Sequence, residues 1–283
     1  MCGLAALFEP GRRFAPNLLA GMEDDLFHRG PDSGGIVSEP GLALVFRRLA
    51  ILDPGSQADQ PMGDVSGRCS LVFNGEIYNY RALRLALEQE GVRLRTSGDT
   101  EVVLEGYLRW GEDVLNRLEG MFAFCLVDRE RGVALAARDP LGIKPLYMMH
   151  AGPTVAFASE MRPLFRLCPP QVDEKALAEL ITFGWAAGRL SNCRGIERLP
   201  GGTVVTMPLA GGVPTERRFC DPLETLRLDP DLGSELAQAD AEARVHEALG
   251  DSVKAHLASD VGYAVQLSGG VDSSLVAALA KGE

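Results

Sequence analysis

Short apolar runs that arrive several in succession, with helical stretches set between the groups, limit most strongly what this chain can fold into. Residues 2–8, 42–46 and 69–73 are apolar over strand length, and 121–127, 133–137, 146–149 and 155–158 follow as four more strands. Residues 17–28 carry helical spacing through Leu18, Met22 and Leu26. Residues 80–90 place Leu83 and Leu87 on one helical face, and 100–110 form a further helix. Helices fall between and after runs of strands rather than alternating with them. That pattern predicts a layered α+β fold rather than a parallel doubly wound sheet.

From Cys168-Pro169-Pro170 onward the texture loosens. One helix over 174–183 precedes Gly- and Pro-rich hairpin material at 199–202 and 210–214, and 221–233 reads as a linker. Residues 234–257 form an amphipathic helix with Val245, Leu249, Val253 and Leu257 four apart. A buried strand is expected over 263–267, followed by a Ser-Gly-Gly turn and a helix over 273–281. A single parallel strand and helix have no core of their own, because parallel strands need neighbours and cover on both faces. The expectation is therefore one domain over 1–220, and over 221–283 a linker with the truncated start of a second domain.

Composition narrows the function classes. The formal net charge is −11 and no run of Lys or Arg interrupts it, which argues against a nucleic-acid or anionic-membrane surface. The apolar stretches are too short to span a bilayer, and Met1-Cys2-Gly3-Leu4 enters the first strand without a basic segment, so no signal peptide is read. The six cysteines show no C-x-x-C pairing and the four histidines no zinc spacing, which suggests a reducing cytoplasm.

Cys2 carries the first chemical hypothesis. Removal of Met1 would leave a residue with both a thiol and a free α-amine. The amine has an ordinary pKa of about 7.7–8.0, so a neutral fraction is at hand to take the thiol proton. Alone, position 2 is more simply one structural cysteine among six. Other segments change that balance: His28-Arg29-Gly30-Pro31-Asp32, Arg48-Leu49-Ala50-Ile51-Leu52-Asp53, Gln60-Pro61-Met62, Asn74-Gly75-Glu76-Ile77-Tyr78-Asn79, Gly98-Asp99-Thr100-Glu101 and Arg138-Asp139-Pro140-Leu141-Gly142-Ile143-Lys144-Pro145-Leu146-Tyr147 occur in order. With Ser268-Gly269-Gly270-Val271-Asp272-Ser273-Ser274 near the end, the chain resembles the asparagine synthetase family of class II glutamine amidotransferases.

The resemblance implies an N-terminal-nucleophile αββα sandwich followed by the truncated start of an α/β ATP-pyrophosphatase-type domain. Cys2 would be the nucleophile, Arg48 would grip the α-carboxylate of L-glutamine, and Asp99 would pair with its α-ammonium. The Asn74 amide and the Gly75 N–H would form an oxyanion hole, with Glu76 and the backbone around Leu52 completing the pocket. Each has a plainer alternative: Asn74-Gly75 as a hairpin turn, Asp99 as a helix cap, Arg48 beside Arg47 as a solvated pair. Gly98 stands where the family often has Ser, which puts one local hydrogen bond in question. Arg29, Asp32, Arg138 and Asp139 read as structural ion pairs behind the pocket, and His28 needs no chemical role.

The loop at 267–273 is not a Walker A sequence, since no Gly-Lys-Ser/Thr occurs. By the resemblance Leu267, Ser268, Gly269, Gly270, Asp272 and Ser273 would hold the pyrophosphate of ATP, and Asp272 would help bind Mg. An ordinary Ser/Gly/Asp turn is the alternative. The implied activity is glutamine hydrolysis, without a cofactor, that supplies ammonia for ATP-dependent amidation of a carboxylate, with aspartate as the default acceptor. Amidation of a sugar or peptide carboxylate, or a binding module without turnover, are the competing readings. A homodimer is the assembly considered.

Overall fold

A computed structural model describes residues 1–224 and 238–281, which group into two compact units. One comprises Met1–Ala50 and Gly55–Asp221, the other Ile51–Pro54 and the residues from Pro222.

In the first unit two six-stranded antiparallel sheets are built from β1 (Gly3–Phe8), β2 (Ser33–Glu39), β3 (Leu42–Arg48), β4 (Met62–Gly63), β5 (Cys69–Ile77), β6 (Gly120–Asp128), β7 (Val133–Arg138), β8 (Tyr147–Ala151), β9 (Thr154–Ala158), β10 (Ile196–Arg198), β11 (Thr203–Pro208) and β12 (Thr215–Arg218). The orders are β10-β8-β9-β1-β3-β2 and β12-β11-β7-β6-β5-β4. Around them lie α1 (Pro16–Asp25), α2 (Tyr80–Gln89), α3 (Asp99–Trp110), α4 (Met161–Leu164) and α5 (Glu174–Phe183).

Strand alternation explains why the central runs are apolar throughout. Leu4, Ala6 and Phe8 of β1, Leu42, Leu44 and Phe46 of β3, Val72 of β5 and Ala123, Cys125 and Val127 of β6 fill the space between the sheets. The intervening Ala5, Leu7, Ala43 and Val45 pack instead against Leu19, Met22 and Leu26 of the α1 region. Both faces of a central strand are therefore buried, as its unbroken apolar run requires. On the outer face of the second sheet α3 packs on β5 and α2 on α3. The layers run helix, sheet, sheet, helix, as expected of an αββα sandwich.

Several details differ from the sequence reading. The helix expected over 17–28 ends at Asp25, and Phe27–Arg29 forms a separate 3-10 turn. β2, β4, β10 and the short α4 were not foreseen. β2 holds Gly34 and Gly35 and lies at a sheet edge with only one face covered, so it lacks the apolar run that marks the others.

The second unit contains α6 (Gln238–His256) and α7 (Val271–Lys281), which touch each other. The linker read at 221–233 lies largely, and the start of the helix read from Ser234 wholly, outside the described residues. Residues 263–267 are a correction: they form no strand and are exposed. A strand exists only where a neighbour takes up its backbone hydrogen bonds, and the described residues of this unit offer none. Among the described residues, no helix is long and apolar enough to cross a membrane.

Candidate active site

The same alternation that builds the core aims the polar residues. Cys2 packs on the inter-sheet core just ahead of β1. Arg48 continues the inward-facing series Leu42, Leu44, Phe46 to the end of β3, and Asn74 and Glu76 continue the series of Val72 along β5. Because β1 and β3 are antiparallel, with Gly3 opposite Arg47, the start of β1 and the end of β3 lie at the same mouth of the sandwich.

The Cys2 sulfur is held by the backbone of Leu49, whose N–H donates to it at 3.4 Å and whose carbonyl oxygen accepts from it at 3.6 Å. Burial raises the thiol pKa, opposed by the Leu49 hydrogen bond and by the nearby α-amine. Burial also lowers the pKa of that amine, here on Met1, with Arg29 and Lys144 adding to the effect. While Met1 is in place both shifts favour the uncharged thiol and amine; the α-amine of the hypothesis belongs to Cys2 once Met1 is removed.

Asn74-Gly75 is not a turn. Both residues lie within β5, opposite Ala123 and Phe122 of β6. The N–H of Phe122 donates to Asp139 Oδ2 at 3.2 Å, and its carbonyl accepts from the Asp139 N–H at 2.8 Å. Backbone N–H and C=O of one residue point to the same side of an antiparallel strand, so Phe122 and Gly75 form a pair without mutual hydrogen bonds. The Gly75 N–H is thus left outside the β5–β6 ladder. A Cβ on Gly75 would lie 2.4 Å from the Met121 carbonyl oxygen and 2.8 Å from Phe122 Cα, so only glycine fits this strand pairing. Beside it, Nδ2 of Asn74 is buried and has no hydrogen-bond partner. A buried amide donor left without a partner costs roughly 1–3 kcal/mol, so the Asn74 amide stands out beside the Gly75 N–H that the ladder leaves aside.

Three carboxyl or guanidinium groups complete the mouth. Arg48 is buried and is no solvated pair with Arg47; its Nη1 donates to the Gly55 carbonyl at 2.9 Å and to Asp59 Oδ1 at 3.0 Å. Arg47 leans over the Phe27 ring and donates to the Gly30 carbonyl. Asp99 is the first residue of α3 rather than its N-cap, which is Gly98 and provides no side-chain cap. Its Oδ2 accepts from the Ile77 N–H at 3.0 Å, joining the helix to the end of β5. Burial raises its pKa to about 6, against the hydrogen bonds it accepts. Glu76 is pushed up to about 8 by burial and by Asp99, with Lys144 and the α-amine opposing. Each carboxyl thus resists ionisation while the other is charged, and a cation placed between them would relieve that repulsion.

The surrounding motif residues act on backbone. Arg29 donates to the Cys2 carbonyl at 2.9 Å and pairs with Glu160 at 2.8 Å, and His28 meets the same carboxylate at 3.0 Å. The expectation of ion pairs fails for three residues. Asp32 accepts from the Ala50 N–H, Arg138 donates to the carbonyls of Lys144, Leu199 and Gly142, and Asp139 accepts from the N–H groups of Leu141, Ile143, Lys144 and Phe122. Charge-assisted hydrogen bonds to a loop's own backbone fix its path as a salt bridge would not. Gln60 does the same for β5, accepting from the Phe73 N–H at 2.6 Å and donating to its carbonyl at 3.3 Å.

Lys144 carries no signal in the sequence, where it is one letter in a long motif. It is buried, and its pKa is lowered by burial, opposed by Glu76 and Cys2. Leu52 lies in Ile51–Pro54, which groups with the second unit. Leu267, Ser268, Gly269, Gly270, Asp272 and Ser273 also belong to that unit and are not buried. There Ser268 Oγ and Ser273 Oγ lie 2.9 Å apart, and Gly269 adopts φ +84° ahead of α7. The glycine turn and the free N–H groups of the first helical turn fit an anionic phosphate. Magnesium is different: Asp272 is the loop's lone carboxylate, and among the described residues no group of three or more His, Cys, Asp or Glu could hold a metal ion. The residues described do not make a magnesium site.

With the geometry established, comparison with known proteins gives the class. The fold matches a solved glutamine phosphoribosylpyrophosphate amidotransferase from B. subtilis with a TM-score of 0.59 at 20% identity, covering 99% of this chain and 64% of that one. The family model described as glutamine amidotransferase domain matches residues 1–219, and this chain belongs to that family. Residues 244–283 match the model described as asparagine synthase. Among curated relatives, asparagine synthetase [glutamine-hydrolyzing] 1 of Bacillus subtilis is 33% identical over 99% of this chain, and asparagine synthetase B of Escherichia coli 35% over 90%. The chain spans 44% and 40% of those proteins' lengths.

Proposed function

We propose that the first unit hydrolyses L-glutamine through a thioester on Cys2. The observation that carries this reading is the pair of unused donors, Asn74 Nδ2 and the Gly75 N–H, at the mouth where Cys2 packs. The Cys2 sulfur attacks the side-chain amide carbon of glutamine while the α-amine accepts the thiol proton. The oxygen of the tetrahedral intermediate is met by Asn74 and Gly75, each donor contributing about 3 kcal/mol in the transition state. The protonated amine returns its proton to the departing nitrogen, ammonia leaves, and water then cleaves the thioester to give glutamate. Arg48 holds the substrate α-carboxylate, and Asp99 with Glu76 the α-ammonium.

In the whole protein this ammonia serves the amidation of a carboxylate, aspartate to asparagine, in the cytoplasm, with the two domains divided near residue 220. ATP supplies the activation of that carboxylate when bound, and Ser268, Gly269, Gly270, Asp272 and Ser273, with the backbone of Leu267, would hold its pyrophosphate. The test is ammonia release from L-glutamine by the purified chain without ATP. Turnover that Cys2→Ala abolishes supports the reading; turnover that survives it removes Cys2 from the mechanism.

A further inference from the structure

Residues Ile51–Pro54 leave the first unit between two anchors of the candidate site. Before them, Leu49 holds the Cys2 sulfur through its N–H and carbonyl, and the Ala50 N–H donates to Asp32 Oδ2 at 2.8 Å. After them, the Gly55 carbonyl accepts from Arg48 Nη1 at 2.9 Å, and Asp59 accepts from the same nitrogen at 3.0 Å. The four residues themselves group with the second unit, where two hydrogen bonds join them to Asp260. The Asp53 N–H donates to Asp260 Oδ2 at 2.7 Å, and the Asp260 N–H donates to the Ile51 carbonyl at 3.1 Å. Asp53 is buried and, among the described residues, is the one non-glycine residue with positive φ, at +46°. An L residue in that conformation is strained and keeps it only where its surroundings hold it. Asp260 is in turn steadied by the turn around it, where Ser259 Oγ accepts from the Val261 N–H and donates to its carbonyl.

We propose that Asp260 is a positioning residue for glutamine binding, clasping the middle of the loop whose two ends carry Arg48 and the Gly55 carbonyl that holds it. This rests on the proposed role of Arg48 in gripping the substrate α-carboxylate. A loop tied at its ends but free in the middle samples several paths, and each path moves the Gly55 carbonyl and the guanidinium bonded to it. Fixing the middle removes that freedom before glutamine arrives, so less ordering is left to oppose binding. The left-handed Asp53 is where the path is set, and its N–H is the group that the Asp260 carboxylate takes. Such a clasp acts on recognition of the ground state and not on charge that develops in the transition state, so it belongs to KM rather than kcat. Asp260 stands 207 residues beyond Asp53, within the stretch that matches the asparagine synthase model. A residue of that stretch thereby contributes to glutamine capture.

The test compares the wild type, Asp260→Ala and Asp260→Asn in glutaminase kinetics, in calorimetric binding of L-glutamine on a Cys2→Ala background, and in hydrogen exchange of the Asp53 amide by NMR. Asp260→Ala should raise KM and Kd about tenfold, the worth of a hydrogen bond to a charged group, with kcat within about twofold. The Asp53 amide should exchange about tenfold faster. Asp260→Asn keeps an oxygen acceptor and its own N–H, and should restore all three to within about twofold of the wild type. Unchanged KM and Kd in Asp260→Ala, a loss confined to kcat, or an asparagine variant as impaired as the alanine one would overturn the proposal. Asp260→Ser, whose hydroxyl falls one bond short, gives the same comparison should the alanine variant not fold. Exchange at Asp53 is read without glutamine. A wild type that binds no glutamine therefore counts against the proposed function, while the clasp stands or falls on the exchange rate.

Discussion

Binding of glutamine should expel a proton. Glu76 is pushed up to about 8 in the free chain because it is half-buried, with Asp99 adding to the effect. At pH 7 it is therefore about nine-tenths protonated. An arriving α-ammonium neutralises the repulsion and favours the carboxylate, so the bound form gives that proton up. The sign follows from linkage: the free site holds more protons than the complex below pH ~8, hence affinity is full above that value and is lost as pH falls. For one carboxyl moving from about 8 to its ordinary range, Kd should improve about 50-fold between pH 6 and pH 8. Asp99, raised to about 6, steepens the loss below that pH. Calorimetry on Cys2→Ala, which binds without turnover, in two buffers of different ionisation enthalpy should show about 0.9 proton released at pH 7. Glu76→Gln should flatten the dependence above pH 6. A pH-independent Kd between 6 and 8, or proton uptake, would refute the argument that the two carboxyls await a cation.

Asn74→Ala should lower kcat by about 10²–10³ with little change in KM, since its amide acts on charge that develops in the transition state; steady-state kinetics decide this, and because it removes an unpartnered buried donor the variant should melt no lower than wild type. Gly75→Ala should cost about 1–3 kcal/mol of stability, measured by denaturant unfolding, because the new Cβ meets the Met121 carbonyl at 2.4 Å. The free chain should lose thermal stability as pH rises from about 5 to 8: Glu76 binds its proton more tightly folded than unfolded, so its contribution is full below the unfolded value and lost through about 8. Calorimetric scans should show that decline shallower in Glu76→Gln.

The layered fold was legible because central strands buried on both faces leave unbroken apolar runs, as in β1 and β3. The same alternation, carried one step further, aims Arg48, Asn74 and Glu76 inward, so much of the site is written in the period of the strands that end there. Other features left no local trace. Asn74-Gly75 reads as a turn in isolation, and only its pairing with β6 shows a strand. Arg138 and Asp139 look like an ion pair by adjacency, yet each binds the backbone of the following loop, a contact without sequence signature. Lys144 is indistinguishable from a surface lysine until the fold buries most of it. The expected strand at 263–267 failed for the opposite reason, since its apolar pattern is present but no paired neighbour is described.

The central claim, that Cys2 forms a covalent bond to the substrate's acyl group between two unused donors, is tested most directly by trapping that bond. The chain is mixed with L-glutamine, quenched in acid within one turnover, digested and examined by mass spectrometry. The peptide beginning at Cys2 should carry a glutamyl adduct, and Asn74→Ala should reduce its rate of formation. An adduct on another cysteine such as Cys168 or Cys193, both of which are free, or ammonia released with no adduct at Cys2 and undiminished by Cys2→Ala, would contradict it.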